Sequence, residues 1–193
     1  FIVKNFNKYN IKLIKYPYDK DINTNSWERY CKGAIVDTTN NKLIVVPPCK
    51  ASRLNDDFEL NENCIIEELY DGTMINLFYH NNEWLLSTRS DIGLNNKWSN
   101  KSFKQLFKEC SNIDYDKLNK EYTYSFVMQH KENRNVSIVN ENCIILVEVY
   151  DKLLQMVDID TIEQNGFLKV INHKIDNLEE YINISNINNF NTL

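Results

Sequence analysis

Asp71 and Gly72 stand at a break between two apolar runs. There an aspartate can accept backbone hydrogen bonds, and a glycine lets the chain turn tightly or come close to a ligand. By itself an Asp-Gly pair between strands is the chemistry of a hairpin turn, and the Asp71 carboxylate could also orient a metal or a base. Arg89, in Ser87-Thr88-Arg89-Ser90, carries a planar fork that suits phosphate or ribose-side groups, or an ion pair with Asp91. Lys50 follows the stiff pair Pro47-Pro48 and could serve as a phosphate contact, as a nucleophile, or only as a surface cation; Lys32, before Gly33, suits an electrostatic clamp. His80, His130 and His173 lie far apart, with no zinc spacing and no Ser or Cys partner, so no metal site and no histidine catalysis are read. His130, ahead of Asn133 and Arg134, reads as a loop hydrogen bond or a nucleotide contact. No Gly-rich phosphate loop is present, which disfavours P-loop and Rossmann folds.

The stretch Glu67-Glu68-Leu69-Tyr70-Asp71-Gly72-Thr73-Met74-Ile75 resembles the first motif of covalent nucleotidyltransferases, a lysine, any residue, an aspartate and a glycine. Around it, in the order found in bacteriophage-type ATP-dependent RNA ligases, come four further similar segments. Arg29 to Val36 contains a Lys-Gly pair, and Val46 to Asn55 contains Lys50. Trp84 to Gly93 contains Arg89, and Tyr124 to Arg134 is followed by the apolar strand Cys143 to Tyr150. The resemblance covers about residues 29 to 151. It implies a nucleotide cleft with Lys32, Asp71, Gly72, Arg89 and Arg134 as nucleotide contacts, ATP and Mg²⁺ as cofactors, and RNA ends as partners. In the family the motif lysine attacks the α-phosphate to form a lysyl-nucleotide, which requires a neutral amine. Here Leu69 stands in its place, and a leucine has no nucleophile to offer. The family's third motif carries a glutamate that positions the ribose, where this chain has Ser125 or Val127, and the later motifs are not visible before Leu193.

Those residues must be held by a mixed framework. Strands are predicted at Gly33 to Val36, Leu43 to Pro47, Cys64 to Leu69, Met74 to His80, Trp84 to Thr88, Tyr122 to Gln129 and Cys143 to Tyr150. The middle of the chain reads as an antiparallel meander with turns at Thr39 to Asn41, Asp71-Gly72 and His80 to Glu83. Ser102 to Glu109, with Phe103, Leu106 and Phe107 at helical spacing and Ser102 as cap, reads as a short amphipathic helix. Asp160 to Asn165 and Asp176 to Ile182 also read as helical, and Ser185 to Leu193 as an Asn-rich, disordered tail.

At 193 residues, with 42% hydrophobic and 25% charged content, the chain fits one soluble domain, and no apolar run is long enough to cross a membrane. The net charge of -5 argues against bulk electrostatic grip on nucleic acid, so an RNA contact needs a local basic groove. The series Lys4, Lys8, Lys12, Lys15, Lys20 is such a stripe, or a solvated face. Trp27, Trp84 and Trp98 could stack on a base or belong to the core. Five scattered cysteines, Cys31, Cys49, Cys64, Cys110 and Cys143, read as buried thiols in a reducing, cytoplasmic setting, with a virus-infected cell or a virion as the expected context. The chain begins at Phe1 without a signal or lipidation motif, so it reads as a fragment or the ordered part of a longer protein.

The fold expected is α+β, a two-sheet RNA-ligase-like nucleotidyltransferase domain with a nucleotide cleft. Residues 1–28 are read as an N-terminal segment, 29–158 as the core, and 159–193 as a helical segment and tail of the same domain. The leading functional expectation is a nucleotide- or RNA-binding pseudoenzyme. The alternatives are an active ATP-dependent RNA ligase using Lys50 as a relocated nucleophile, and a structural or virion protein on a ligase scaffold.

Overall fold

A computed structural model of the chain describes residues 1–18, 22–23, 26–51, 65–97 and 100–173. β1 (Ile2–Phe6), β2 (Ile11–Lys15), β3 (Lys32–Asp37) and β4 (Lys42–Val45) form an antiparallel four-stranded sheet in that order. β5 (Ile66–Glu67) follows, then the hairpin of β6 (Thr73–His80) and β7 (Glu83–Ser87). After α1 (Phe103–Cys110) come β8 (Tyr122–Gln129), β9 (Cys143–Asp151), β10 (Leu168–Lys169) and β11 (Asn172–His173). The second sheet has the order β10-β9-β8-β6-β7, antiparallel except for the β10–β9 pair, while β5 and β11 pair with each other. The class is α+β. Among the described residues no helix is long and apolar enough to cross a membrane.

The second sheet uses its two faces differently. Ile75, Leu77, Phe126, Met128, Ile144 and Leu146 pack under α1, whose Leu106, Phe107 and Cys110 lie on one face at helical spacing. Ser102 caps the helix through a capping box with Gln105. On the opposite face Phe78 and Leu85 meet Ile11, Leu13, Ile35 and Val45 of the first sheet, so the two sheets pack face to face. Two residues further along the same face, the register aligns Glu148, Ser125, Asn76 and Ser87 across β9, β8, β6 and β7. Ser125 donates to Asn76 Oδ1 at 2.9 Å, and Asn76 Nδ2 donates to Ser87 Oγ at 3.4 Å. This polar row crosses the buried face between the two apolar clusters, with Asn76, Ser87 and Ser125 all at 0% exposure.

Several expectations change. Residues 1–28 contribute β1 and β2, which were not read as strands because lysines interrupt the apolar alternation. β1 is an edge strand, where lysine is commonly tolerated. The middle is not one meander, since β3–β4 and β6–β7 belong to different sheets, and Asp71-Gly72 is a crossing between sheets rather than a hairpin. The strand expected over Cys64 to Leu69 is Ile66–Glu67, with Cys64 outside the described residues. In place of a helix over Asp160 to Asn165 there is a single 3-10 turn, Ile159–Thr161. The Asn165 side chain instead clamps the Asp114 backbone, accepting at 3.0 Å and donating at 2.8 Å. Asp176 to Ile182 and Ser185 to Leu193 lie outside the described residues.

Asn76→Ala leaves the Ser125 hydroxyl without its acceptor and Ser87 without its donor in a dry layer. The expected loss is about 1–3 kcal/mol, read as a lower urea midpoint at unchanged slope; an unchanged midpoint would show that the row carries no net stability.

Candidate functional site

Above the polar row the facing sheets part into a cleft of about 950 Å³. The start of β3, the Pro48–Ala51 segment, the Leu69–Met74 crossing and the Thr88–Ser90 segment converge on it. Lys32, Lys50, Asp71, Gly72 and Arg89 all line it; Arg134 does not. Arg134 is exposed and its Nε donates to the Val136 carbonyl at 3.2 Å, although Val136 and Ser137 of the same loop reach the rim. A second hollow of about 540 Å³, near Lys42, His80 and Lys120, contains none of these residues.

The cations are brought together by the backbone. Gly33 has φ +111°, and a Cβ there would lie 2.9 Å from Arg89 Cα, so only glycine lets β3 lie against the Arg89 segment. That segment is held by Thr88, whose Oγ1 accepts from Ser90 N at 3.2 Å and Asp91 N at 3.1 Å. The ion pair considered between Arg89 and Asp91 is not formed. Arg89 Nε is buried without a hydrogen-bond partner, and burial pushes the guanidinium pKa down. Burial also pushes the Lys32 ammonium down, helped by the Arg89 and Lys50 cations. Lys50 is exposed at the rim, its amide donating to the Arg29 carbonyl at 3.1 Å. Among the described residues no carboxylate forms an ion pair with Lys32, Lys50 or Arg89.

Asp71 and Gly72 act on the protein itself. Asp71 Oδ2 accepts from Val136 N and Ser137 N, both at 2.8 Å, which holds its pKa below the usual carboxylate range and latches the 134–137 loop. A Cβ on Gly72 would lie 2.5 Å from the Met128 carbonyl oxygen, so the glycine serves close packing on β8. Leu69 is 98% exposed at the cleft rim.

Of Ser125 and Val127, the two residues where a glutamate was expected by resemblance, Val127 lines the cleft while Ser125 is buried in the polar row. The cleft carboxylate comes instead from β9. The β8–β9 register skips Val147, a bulge that sets Val147 and Glu148 on the cleft side. Glu148 Oε2 is buried without a partner, and burial pushes its pKa up to about 7, against the nearby Tyr150 hydroxyl and with help from Glu67. Sequence reasoning passed over Glu148; its signal was a lone acid inside the run Ile144 to Val149.

The remaining candidates are structural. His130 is 1% exposed; its Nδ1 accepts from Glu132 N at 3.0 Å, so Nε2 carries the hydrogen and donates to Glu109 at 2.9 Å. Glu109, His130 and Glu132 are close enough to surround an ion, but both His130 nitrogens are engaged and Lys101 already pairs with both carboxylates. That arrangement does not suit a metal. His80 Nε2 lies 3.0 Å from the Tyr9 carbonyl. Cys49, Cys110 and Cys143 are free thiols, and Cys31 and Cys110 are buried.

The chain matches no protein-family model and no curated protein.

Gly33→Ala is expected to force β3 away from Arg89 and to lower the melting temperature, whereas an unchanged value would show that the contact can relax. Glu148 gives a pH signature. Its folded pKa lies above the unfolded value, so its contribution is fully present below about 4.5 and is lost as pH rises through about 7. Glu148→Gln is therefore expected to flatten the stability profile over that window and to stabilise the protein at pH 8, by about 3 kcal/mol. Identical profiles for the two proteins would remove the assignment. Asp71, with its depressed pKa, acts at lower pH, whereas Glu67, whose pKa burial also raises, is common to both proteins.

Proposed function

We propose that the chain is an RNA-ligase-like nucleotidyltransferase domain that binds a nucleotide triphosphate, ATP in the first instance, or a phosphorylated RNA end, without forming a lysyl-nucleotide. The observation that carries this reading is the convergence of Lys32, Lys50 and Arg89 on one cleft, free of ion-pair partners among the described residues. Among the described residues, Lys32 and Arg89 are partly buried cations without counter-charges, which is costly, and a polyphosphate relieves that cost. Mg²⁺ would arrive with the triphosphate, held chiefly by phosphate oxygens and water.

The covalent step in the resembling family forms a bond from a lysine nitrogen to the α-phosphorus and releases pyrophosphate. Leu69 occupies that lysine's place in the motif and supplies no lone pair. One observation favours an enzyme reading as a second possibility: Lys32 has an ammonium pKa pushed down by burial and by its neighbours, which raises the neutral fraction a nucleophile needs. On that reading Lys32 competes with Lys50 as the relocated nucleophile.

Incubation with α-labelled ATP and Mg²⁺, followed by detergent denaturation at neutral pH, separates the two. The expected result is reversible ATP binding with no retained label, and binding at least ten-fold weaker in Arg89→Ala. Label retained by the wild type and lost in Lys32→Ala or Lys50→Ala would establish the enzyme, and no ATP binding at all would overturn both readings.

A further inference from the structure

The cationic surface does not stop at the cleft. Lys15 on β2 is in register with Lys32 on β3, on neighbouring strands about 5 Å apart. Lys15 Nζ donates to Ser90 Oγ at 3.1 Å, and Lys4 Nζ, on edge strand β1, donates to the Ser90 carbonyl at 2.7 Å. Lys4 and Lys15 therefore meet at the residue following Arg89, and neither forms an ion pair among the described residues. A line of positive charge runs from Arg89 and Lys32 outward to the sheet edge, in a chain whose net charge is negative.

The same end of the sheet carries exposed aromatic rings. Trp27 opens the 3-10 turn Trp27–Tyr30 that leads into β3 at Lys32; it is 65% exposed and stacks on Phe1 with ring centroids 5.4 Å apart. Phe1 precedes Ile2, the register partner of Lys15. Tyr18, just beyond β2, is fully exposed. Trp84, by contrast, is packed among Tyr79, Tyr115 and Tyr124 and belongs to the core.

We infer that this end of the first sheet, Lys4 and Lys15 with the Trp27 platform, is a docking surface for single-stranded nucleic acid continuing out of the cleft. The lysines hold backbone phosphates and Trp27 stacks on a base, a pairing that tolerates sequence because every base has a π-face. The inference rests on the nucleotide reading of the cleft and adds to it the path of the strand.

The test uses the whole chain, ATP, and ten-nucleotide oligo(U) and oligo(dT). Lys4→Ala with Lys15→Ala is expected to reduce the slope of log affinity against log salt by about 1.4, from two lost phosphate contacts. Trp27→Ala is expected to weaken both oligonucleotides about ten-fold, with Trp27→Phe restoring most of the loss. ATP affinity and melting temperature should stay as in the wild type. Equal losses on both oligonucleotides are expected, because neither contact needs a 2′-hydroxyl. Unchanged oligonucleotide affinity in both variants would overturn the surface. So would ATP affinity falling in parallel, since the lysines would then only position Arg89 through Ser90. ATP binding without oligonucleotide binding in the wild type would remove the surface and leave the cleft reading, and binding of neither would remove both.

Discussion

Gly33 lies so close to the Arg89 backbone that a single added carbon would sit 2.9 Å from Arg89 Cα. That approach joins the first sheet to the segment leaving β7, and it sets two cations beside each other where their repulsion and partial burial would otherwise drive them apart. The energy to hold them there comes from elsewhere in the interface. Phe78 and Leu85 pack against Ile11, Leu13, Ile35 and Val45, and the row from Ser125 through Asn76 to Ser87 satisfies its own hydrogen bonds beneath the cleft. An apolar contact between sheets thus supports a charged opening above it, and the polar layer separates the two environments.

The cleft carries both signs. Lys32, Lys50 and Arg89 line it together with Glu67, Asp71 and Glu148. The opposition is not neutralisation, because none of these cations reaches a carboxylate within ion-pair distance among the described residues. Burial moves both signs toward their neutral forms: the Lys32 and Arg89 pKa values fall and that of Glu148 rises. A ligand with an anionic group and a hydrogen-bond donor would relieve both kinds of group together.

How much of this was legible in the sequence depended on whether the signal was local. β8, Tyr122–Gln129, could be read to its last residue, and α1 with its Ser102 cap nearly so, because continuous apolar runs and capping boxes are short-range patterns. β1 was hidden by a lysine that an edge strand accepts and β2 by Lys12 on its solvent-facing side, and the assignment of β3–β4 and β6–β7 to different sheets depends on pairings no local pattern encodes. At the site the residue types were visible and the partners were not. Asp71 answers to the amides of Val136 and Ser137, some 65 residues away, and Gly72 to the Met128 carbonyl. Glu148 faces the cleft because Val147 is bulged out of register, a property of two strands rather than one.

On the reading proposed above, the same geometry separates binding from covalent chemistry. Cations fixed by backbone contacts stabilise a phosphate whether or not a bond to phosphorus is breaking, so they contribute chiefly to ground-state binding. Acceleration needs a group whose interaction grows toward the transition state, and the attacking amine is that group in a nucleotidyl transfer. Leu69, on the rim and almost wholly exposed, is a position on which the packing of the fold does not depend. On the nucleotide reading proposed above, binding resides in Lys32 and Arg89 and the backbone contacts that fix them, and the nature of residue 69 decides only whether a covalent step is open.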